Sequence, residues 1–439
     1  MTKVITYGTY DLLHYGHIRL LERARELGDY LIVGVTSEDF DKTRGKINVQ
    51  QSLAERIEAV RSTGLADEII VEEYEGQKID DIKKYDIDIF TVGSDWVGYF
   101  DYLKEYCTVI YLDRTEGISS TELRQKTLSV KLGLVGDSLF LNKVIKEAAF
   151  VNGISISSIC TRRKEGLNLS GTEQVYVDED FDDMLERVDA IYLRSHPKDH
   201  YSQIKTALEK GKHVLCESPM VTESGQTAEL FKLAREKGLI LMEAIKTAYS
   251  TAYERMLLLV KTGKIGEVTA VSSTCTSMNN QEDRYEWNCI YEWGPTALLP
   301  VFQILGNGFK ARNLAVKYAD PEKKQDVFEA FNFIYPKAVA NVVIGTGVKS
   351  EGELIISGTR GYVYVPSPWW KTDYFEIRYE NQSENRRYFY QLDGEGIRYE
   401  LVTFSKCIDS GKTMANITES ITESIAAAVG SLGSASVLE

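Results

Sequence analysis

The chain has 439 residues, of which 43% are hydrophobic and 26% charged, so two or three domains with sizeable cores are expected. A formal net charge of −14 argues against nucleic acid or an anionic membrane surface as the main partner. A run of about 18 apolar residues is lacking and the N-terminus enters a strand pattern directly. We therefore expect no membrane span, no signal peptide and a cytoplasmic location.

Residues 1 to about 127 alternate between strand and helix patterns. The predicted strands are Lys3–Thr6, Tyr30–Thr36, Glu68–Val71, Ile87–Val92 and Thr108–Leu112. The predicted helices are His17–Leu27, Leu53–Ser62, Gln77–Tyr85 and Thr121–Lys126. Such alternation is typical of an α/β fold with a parallel, doubly wound sheet, whose ligand lies beyond the carboxyl ends of the strands.

The first strand leads into residues 8–17, which read GTYDLLHYGH. A glycine-containing turn and the N-terminus of the following helix form an anion site, and two histidines three residues apart can face one point. The alternative is that His14 and His17 only cap the helix or lie in the core. Two of the five histidines fall within four residues of this turn, which favours a phosphate site.

A second stretch, residues 114–122, reads RTEGISSTE after the fifth predicted strand. Ser119 and Glu122 have capping-box spacing, so a helix is expected to begin there. A plain helix cap would explain that spacing alone. Arg114 together with three hydroxyl groups at a helix N-terminus also describes a cradle for phosphate.

The His-x-Gly-His turn resembles nucleotidyltransferases of the cytidylyltransferase type, and residues 114–121 resemble the R-T-x-G-I-S-[ST]-T signature of glycerol-3-phosphate cytidylyltransferases. Residues 93–96 resemble the G-x-D-W segment of the same family. The resemblance implies that His14, His17, Lys46 and Arg114 are catalytic and that Asp11 orients the turn or meets magnesium. It implies the following CTP-binding residues: Thr9, Tyr10, Asp11, His14, Tyr15, Gly16, His17, Lys46, Asp95, Arg114, Thr115, Glu116, Gly117, Ile118, Ser119, Ser120 and Thr121.

The same resemblance places Lys46 in a basic loop that closes over the phosphates, although a solvated surface lysine is the alternative. It places Arg44, Arg56 and Lys78 near the nucleotide or the acceptor phosphate. Departures from the family near Gly64 and residues 74–75 leave the acceptor open between glycerol 3-phosphate and another polyol phosphate. The implied reaction is an in-line displacement of pyrophosphate from CTP, with Mg²⁺ on the leaving phosphates and no metal held by a side-chain cluster.

A second strand–helix alternation begins near residue 131, with strands predicted at Lys131–Gly136, Ile154–Ile159, Ala190–Leu193, His213–Cys216 and Ile240–Glu243. Residues 211–219 (GKHVLCESP) resemble the G-K-H-V-x-x-E-K-P segment of the Gfo/Idh/MocA oxidoreductases, and residues 195–200 and 264–268 resemble two further segments of that family. The resemblance covers about residues 130–435 and implies a Rossmann-like domain followed by an α+β domain with an open antiparallel sheet. We therefore predict domains at 1–128, 129–248 and 249–439.

Several residues of that family's dehydrogenase chemistry are replaced in this chain. Of the glycines in the dinucleotide fingerprint, only Gly136 remains, and Asp137 and Ser138 follow it where phosphates would bind. Ser218 occupies the position of the family's catalytic lysine. Residues 292–296 provide no histidine. These losses predict reduced or absent dehydrogenase activity. The possible cofactor site consists of Gly136, Ser138, Arg162, Arg163, His196, Glu217 and Ser218.

The opposing observation is the basic run at residues 162–164, which could bind the 2′-phosphate of NADP or could be a solvated surface. Glu243, Lys246 and Tyr249 could line a pocket or form a polar helix face. The sequence thus predicts a cytidylyltransferase that makes CDP-glycerol, as used for teichoic-acid or capsule-type polymers, fused to an oxidoreductase-like module of doubtful activity. The alternatives are an active NAD(P)-dependent reductase that supplies the polyol phosphate, a non-catalytic binding or dimerisation module, and a nucleotide sensor. Both resemblances imply a homodimer or larger homo-oligomer.

Six cysteines, at Cys107, Cys160, Cys216, Cys275, Cys289 and Cys407, show no C-x-x-C spacing. The sequence therefore indicates neither a zinc site nor a disulfide framework, and we expect reduced, mostly buried thiols.

Overall fold

The computed structural model describes residues 1–37, 49, 51–74, 76–113, 130–151, 153–169, 175–278, 287–322, 324–390, 392–413 and 415–438, and for Asp95 the backbone alone. The chain divides into two compact units, Met1–Ser129 and Val130–Glu439. The boundary predicted at residues 248/249 falls at the end of a short 3-10 helix, Lys246–Tyr249, within the second unit.

The first unit is built on a five-stranded parallel sheet of order β3-β2-β1-β4-β5. Its strands are β1 (Lys3–Gly8), β2 (Tyr30–Thr36), β3 (Glu68–Glu72), β4 (Ile89–Gly93) and β5 (Thr108–Leu112). Its helices are α1 (Tyr15–Glu26), α2 (Leu53–Ser62) and α3 (Gln77–Tyr85), with 3-10 turns at Ser94–Trp96 and Asp101–Glu105. The helix predicted at Thr121–Lys126 lies outside the described residues.

The central strands of this sheet are buried along almost their whole length. In β2 every residue after Tyr30 is buried, and β1 is buried at its four inner positions. Such runs are expected where helices cover both faces of a parallel sheet. Helix α2 begins with a reciprocal capping box, in which the Ser52 side chain accepts from Glu55 N and the Glu55 carboxylate accepts from Ser52 N.

The second unit begins with a six-stranded parallel sheet of order β11-β10-β9-β6-β7-β8. Its strands are β6 (Val130–Val135), β7 (Ile154–Cys160), β8 (Tyr176–Asp178), β9 (Ala190–Leu193), β10 (His213–Glu217) and β11 (Leu241–Ala244). Its helices are α4 (Leu141–Ala148), α5 (Phe181–Leu185), α6 (Pro197–Glu209) and α7 (Gln226–Lys237). The predicted Rossmann-like domain is thus confirmed.

The rest of the second unit forms a nine-stranded sheet of order β19-β18-β17-β16-β12-β15-β14-β13-β20. Its strands are β12 (Val268–Ser277), β13 (Ala311–Asp320), β14 (Gln325–Ile334), β15 (Val339–Thr346), β16 (Leu354–Gly358), β17 (Tyr362–Val365), β18 (Tyr374–Arg378), β19 (Arg386–Phe389) and β20 (Ser436–Val437). The associated helices are α8 (Thr251–Lys261), α9 (Cys289–Leu305), α10 (Ile397–Ser410) and α11 (Glu419–Val429). Short 3-10 helices lie at Trp369–Lys371, Gln382–Glu384, Gly394–Gly396 and Gly430–Ser434.

This sheet is mixed, whereas the sequence predicted an antiparallel one. Strand β12 pairs in parallel with β15, and β13 pairs in parallel with β20. The chain leaves β12 through α9 and the β13–β14 hairpin, so it returns along β15 in the direction of β12. The periodicity of each strand shows which residues face the core, but the direction of its partner depends on such long connections. In the part of the chain that is described, no helix is long and apolar enough to cross a bilayer.

Candidate active sites

The turn after β1 places two histidines side by side at the N-terminus of α1. The imidazole rings of His14 and His17 stack with centroids 3.9 Å apart and an angle of 22° between their planes. Nδ1 of His14 accepts a hydrogen bond from Gly16 N at 3.1 Å, so His14 is the N-cap of α1. Since Nδ1 is the acceptor, the ring proton of a neutral His14 lies on Nε2, where it can be donated to a ligand.

The ring of Tyr10 packs against the His17 ring of this pair. Tyr10 is buried at φ 53° and contacts His17 edge-on, with ring centroids 5.6 Å apart. A Cβ atom on Gly8 would lie 2.9 Å from the Tyr10 ring, so the end of β1 must be glycine for the ring to pack there. Burial raises the pKa of Tyr10, which keeps its phenol neutral.

Three polar side chains join this turn to the start of α2. The Asp11 carboxylate accepts from Gln51 N at 2.9 Å, and Gln51 Oε1 accepts from Leu12 N at 2.8 Å. Arg56 is fully buried and donates to the carbonyls of Thr9 at 2.8 Å and Gln51 at 3.1 Å, as well as to Thr36 at 2.8 Å. In the described structure Asp11 and Arg56 therefore hold the turn in position.

Lys78 lies in a buried polar network at the carboxyl ends of β1, β2 and β3. Its ammonium pairs with Glu72 and lies 4.6 Å from the centroid of the Tyr7 ring. Glu72 also accepts from Thr36 Oγ1 at 3.0 Å, and the Tyr7 hydroxyl donates to Asp81 at 2.8 Å. Lys78 of α3 therefore lies at the same edge of the sheet as the histidine turn, and it is only 7% exposed.

Several predicted residues of this site lie outside the described part of the chain, namely Arg44, Lys46 and Arg114–Thr121. Asp95 belongs to the 3-10 turn after β4, although its side chain is not described. Tyr15, the first residue of α1, is 52% exposed. The roles predicted for all of these residues remain predictions.

The loop after β6 occupies the corresponding place in the second unit. Gly136 has φ 142°, and a Cβ atom there would lie 2.3 Å from Arg194 O, so the loop packs directly on the backbone after β9. The Asp137 carboxylate accepts from Arg162 N at 2.7 Å and from the Thr161 hydroxyl at 3.1 Å. Its negative charge is therefore directed toward the end of β7, where the Arg162 side chain is exposed.

Aromatic rings and cations line the same edge of the six-stranded sheet. The guanidinium of Arg194 lies 4.2 Å from the centroid of Phe140 and 4.9 Å from that of Trp287. The Lys246 ammonium lies 5.4 Å from the Phe140 ring. His196 caps α6 by accepting from Lys198 N at 3.2 Å, and its ring contacts Trp287 edge-on.

Beside these cations, the buried side chains of Tyr192 and Glu400 meet the half-buried side chain of Glu217. The Tyr192 hydroxyl donates to Glu217 and lies 3.1 Å from Glu400 Oε1. Burial, together with the Glu217 charge, raises the pKa of Glu400 well above its ordinary value. The Tyr192 hydroxyl therefore lies between the two carboxyl groups, and that of Glu217 is 3.5 Å from the Arg194 guanidinium.

Ser218 does not face these cations. Its hydroxyl donates to Glu243, which also accepts from Met220 N at 3.1 Å and Thr422 Oγ1 at 2.7 Å. Glu243 is buried, and its carboxylate ties β10 to α11. Ser218 N donates to Ala244 O, the last residue of β11, and Lys246 follows Ala244 by two residues.

The sequence did not predict Arg194, Phe140 or Glu400 as residues of this site. It predicted Glu217, but not the partners that Glu217 has in the structure. Arg194 had a detectable signal, because it directly follows a predicted strand at the ligand-binding end of the sheet. Glu400 had none, since it lies on α10, more than 180 residues beyond Glu217.

Taken together, the first unit has the fold and the histidine turn of a nucleotidyltransferase, and the second has the fold of a dinucleotide-binding oxidoreductase. Residues 5–126 match the cytidylyltransferase-like family, and residues 131–245 match the oxidoreductase family with an NAD-binding Rossmann fold. The glycerol-3-phosphate cytidylyltransferase of Bacillus spizizenii is 52% identical over 130 residues, which are 30% of this chain and 100% of that protein. Through its first unit, the chain belongs to the glycerol-3-phosphate cytidylyltransferase family and is a nucleotidyltransferase.

The second unit is similar to oxidoreductases of the Gfo/Idh/MocA family, whose model matches its residues 131–245. A dTDP-3,4-didehydro-2,6-dideoxy-alpha-D-glucose 3-reductase of Streptomyces violaceoruber is 32% identical over 148 residues, which are 32% of this chain and 43% of that protein. A solved 3-ketoreductase from Actinomadura kijaniata, in complex with NADP and TDP-benzene, shares the fold with a TM-score of 0.63 at 18% identity. The matched region covers 71% of this chain and 99% of the ketoreductase chain. These likenesses favour an active reductase over the module of doubtful activity that the replaced residues predicted.

Proposed function

We propose that the first unit transfers CMP from CTP to glycerol 3-phosphate, or to a close polyol phosphate, releasing pyrophosphate. The observation that carries this proposal is the stacked His14–His17 pair on the N-terminus of α1. An oxygen of the acceptor phosphate attacks the α-phosphorus of CTP, and the bond to the leaving pyrophosphate breaks. Donors at the two histidines and at the helix N-terminus stabilise the negative charge that develops on the α-phosphate.

The protein's contribution is positioning and neutralisation of charge, so no covalent nucleophile is required. Arg56 and Asp11 keep the histidine turn against α2, and Lys46 and Arg114–Thr121 are proposed to bind the triphosphate. Mg²⁺ would neutralise the leaving phosphates. We also propose that the protein is cytoplasmic and homo-oligomeric. Size-exclusion chromatography with light scattering tests the oligomeric state.

An assay of pyrophosphate release tests this activity. The purified full chain is given CTP with glycerol 3-phosphate, glycerol 2-phosphate or another polyol phosphate, and CTP alone serves as the control. We expect release that depends on one of the acceptors. Absence of release with every polyol phosphate would refute the proposal.

For the second unit we propose an NAD(P)-dependent reductase that converts a keto phosphate into the polyol phosphate used by the first unit. Gly136 allows the loop after β6 to approach β9, and the exposed Arg162 and Arg163 can hold the 2′-phosphate of NADP. These residues fit a dinucleotide, which when bound would supply a hydride. Arg194, Phe140 and Trp287 would form one wall of the site.

Lys246 is proposed to take the role of the family's catalytic lysine, whose position is occupied by Ser218 in this chain. It lies at the same sheet edge, its side chain is 27% exposed, and its ammonium is 3.3 Å from Glu395. A carbonyl substrate reduced here takes up a hydride at carbon and a proton at oxygen. The Lys246 ammonium can hold that proton beside the oxygen, which Ser218 cannot, because its hydroxyl is bound to Glu243.

The two proposals are tested together in one mixture. The full chain receives dihydroxyacetone phosphate as the probe keto phosphate, NADPH and CTP, and both NADPH absorbance and pyrophosphate are followed. We expect pyrophosphate only when all three are present. Pyrophosphate from glycerol 3-phosphate and CTP, without NADPH binding or oxidation, would refute the reductase and leave the transferase intact.

A further inference from the structure

A buried thiol and two buried carboxylates meet in the second unit, between α9 and the nine-stranded sheet. Cys289 is the first residue of α9, and Asp326 and Glu329 lie on β14. One donor atom from each of these three side chains lies within 4.8 Å of the others. Their exposed fractions are 3%, 2% and 0%, so water cannot solvate the charges.

A β-bulge creates this meeting of side chains. Residues 326 and 329 are an odd number of positions apart, so in a regular strand they would face opposite sides of the sheet. In the pairing of β13 with β14, Lys317 is opposite Phe328 and Tyr318 is opposite Asp326, which leaves Val327 as the extra residue. The bulge places the Asp326 side chain on the same buried face of the sheet as that of Glu329, next to the first turn of α9.

Among the described residues, the carboxylate oxygens that face the thiol lack partners outside the cluster. The two oxygens of Glu329 and Oδ1 of Asp326 interact with the cluster's own side chains alone, whereas Asp326 Oδ2 accepts from Ile290 N at 2.8 Å. Buried polar atoms without such partners are costly, about 1–3 kcal/mol each, so either a bound cation or shared protons must offset the charge here. The one bonded oxygen fixes Asp326 against α9 and leaves its other oxygen directed to Glu329.

We propose that Cys289, Asp326 and Glu329 bind a Zn²⁺ ion. A thiolate with two carboxylates suits zinc, which accepts sulfur and oxygen ligands in a tetrahedral site, whereas Mg²⁺ and Ca²⁺ take oxygen ligands. One donor atom from each side chain lies within 4.8 Å of the other two, which is close enough for one ion between them to be their shared ligand. The ion joins α9 to β14, and its fourth position is open to a further donor.

Protons are the competing occupants of this cluster. Without a cation, burial and the adjacent Asp326 raise the pKa of Glu329 to about 10, and burial also raises the pKa of Asp326 and of the Cys289 thiol. A cation displaces these protons when it binds, so metal content and not activity is the direct readout.

The test uses the full chain expressed in medium supplemented with Co²⁺ or Zn²⁺, so that the buried site is filled during folding. Desalted protein is analysed for metal by mass spectrometry and for a sulfur-to-cobalt charge-transfer band. We expect one ion per chain and the charge-transfer band. Glu329→Gln should lower the ion content of the desalted protein to well below one ion per chain, because it removes one of the three proposed ligands. Asp326→Asn is the second variant, used should Glu329→Gln not fold.

Cys289→Ala should remove the band, and Cys275→Ala is the matched control, because Cys275 is equally buried in β12 of the same sheet but has no carboxylate cluster among the described residues. Retention of the band in Cys275→Ala supports the assignment. Wild-type protein without metal, or a band that persists in Cys289→Ala, would overturn it and leave a proton-sharing cluster. Neither outcome depends on the two proposed activities.

Discussion

The two units place different chemistry on the same structural position, the loop that follows the first strand of a parallel sheet. In the first unit, that loop itself carries the two histidines proposed to act on the α-phosphate, since His14 both caps α1 and stacks on His17. In the second unit, the loop contributes Gly136 and Phe140, and the charged groups come from other strands. Arg194 follows β9, and Lys246 follows β11.

The difference shows when a short sequence motif is enough to predict a functional site. A local turn is destroyed by one substitution, and its absence is visible in the sequence. A site assembled from several strand ends can lose one residue, such as the lysine at position 218, and keep a cation at the same edge through Lys246. Replaced motif residues therefore argue less strongly against activity in the second unit than they would in the first.

The largest effect is expected from His17→Ala. Loss of a donor to the developing charge should lower pyrophosphate release by about 10²–10³-fold, since this is the cost of removing one such donor in other enzymes. Pyrophosphate formation from CTP and the best acceptor measures it. His213→Asn in the second unit, which keeps an acceptor for Ile240 N, should retain activity. A fully active, folded His17→Ala would contradict the proposed role.

Lys246→Met should lower NADPH oxidation by about 10²-fold or more, because a positioned proton donor contributes that much or more. Lys371→Met is the matched control, since Lys371 also pairs with Glu395, at 3.0 Å. Pyrophosphate release from glycerol 3-phosphate should be unchanged in both variants. Equal losses of NADPH oxidation in the two variants would assign the effect to the Glu395 ion pairs instead.

Gly136→Ala should destabilise the second unit by about 3 kcal/mol, because the added methyl meets Arg194 O and the positive φ is strained for alanine. Denaturant unfolding followed by tryptophan fluorescence measures this, since four of the five tryptophans lie in this unit. Gly308→Ala, with open space around it, is the control. An unchanged unfolding midpoint for Gly136→Ala would show that the loop does not pack as described.

The smallest effect is a pH dependence that belongs to the second unit. Burial lowers the pKa of His200 from 6.5 to about 4, although its ring lies 2.9 Å from Pro219 O and 3.0 Å from Ser195 O. Because the folded pKa is depressed, stability is full above pH 6.5 and is lost as the pH falls toward 4.

Between pH 7 and pH 5 this loss is about 2 kcal/mol. Denaturant unfolding at the two pH values, followed by tryptophan fluorescence, measures the change, and His200→Gln should reduce it. An equal pH dependence in His200→Gln would assign the loss to other groups.

Much of the fold was predictable from periodicity and turn residues. The patterns of β2, β5, α2 and α3 gave their observed bounds, because apolar runs and caps are local properties of the chain. The mixed sheet was not predictable in the same way, since the parallel pairing of β12 with β15 depends on a connection of more than sixty residues. The described part of the histidine turn lies where its motif placed it, at a strand end and a helix start.

By itself, the sequence determined the two sheets of alternating strands and helices, the family of the first unit and the histidine turn, since each is encoded in neighbouring residues. Only the tertiary structure decided which charges gather at the second site, because Arg194, Lys246 and Glu400 come from separate elements. It alone also brought Cys289 to Asp326 and Glu329, through one extra residue in β14 that no periodicity reveals. The physical reason is that spacing along the chain fixes local geometry, whereas contacts between distant residues depend on strand order, bulges and packing.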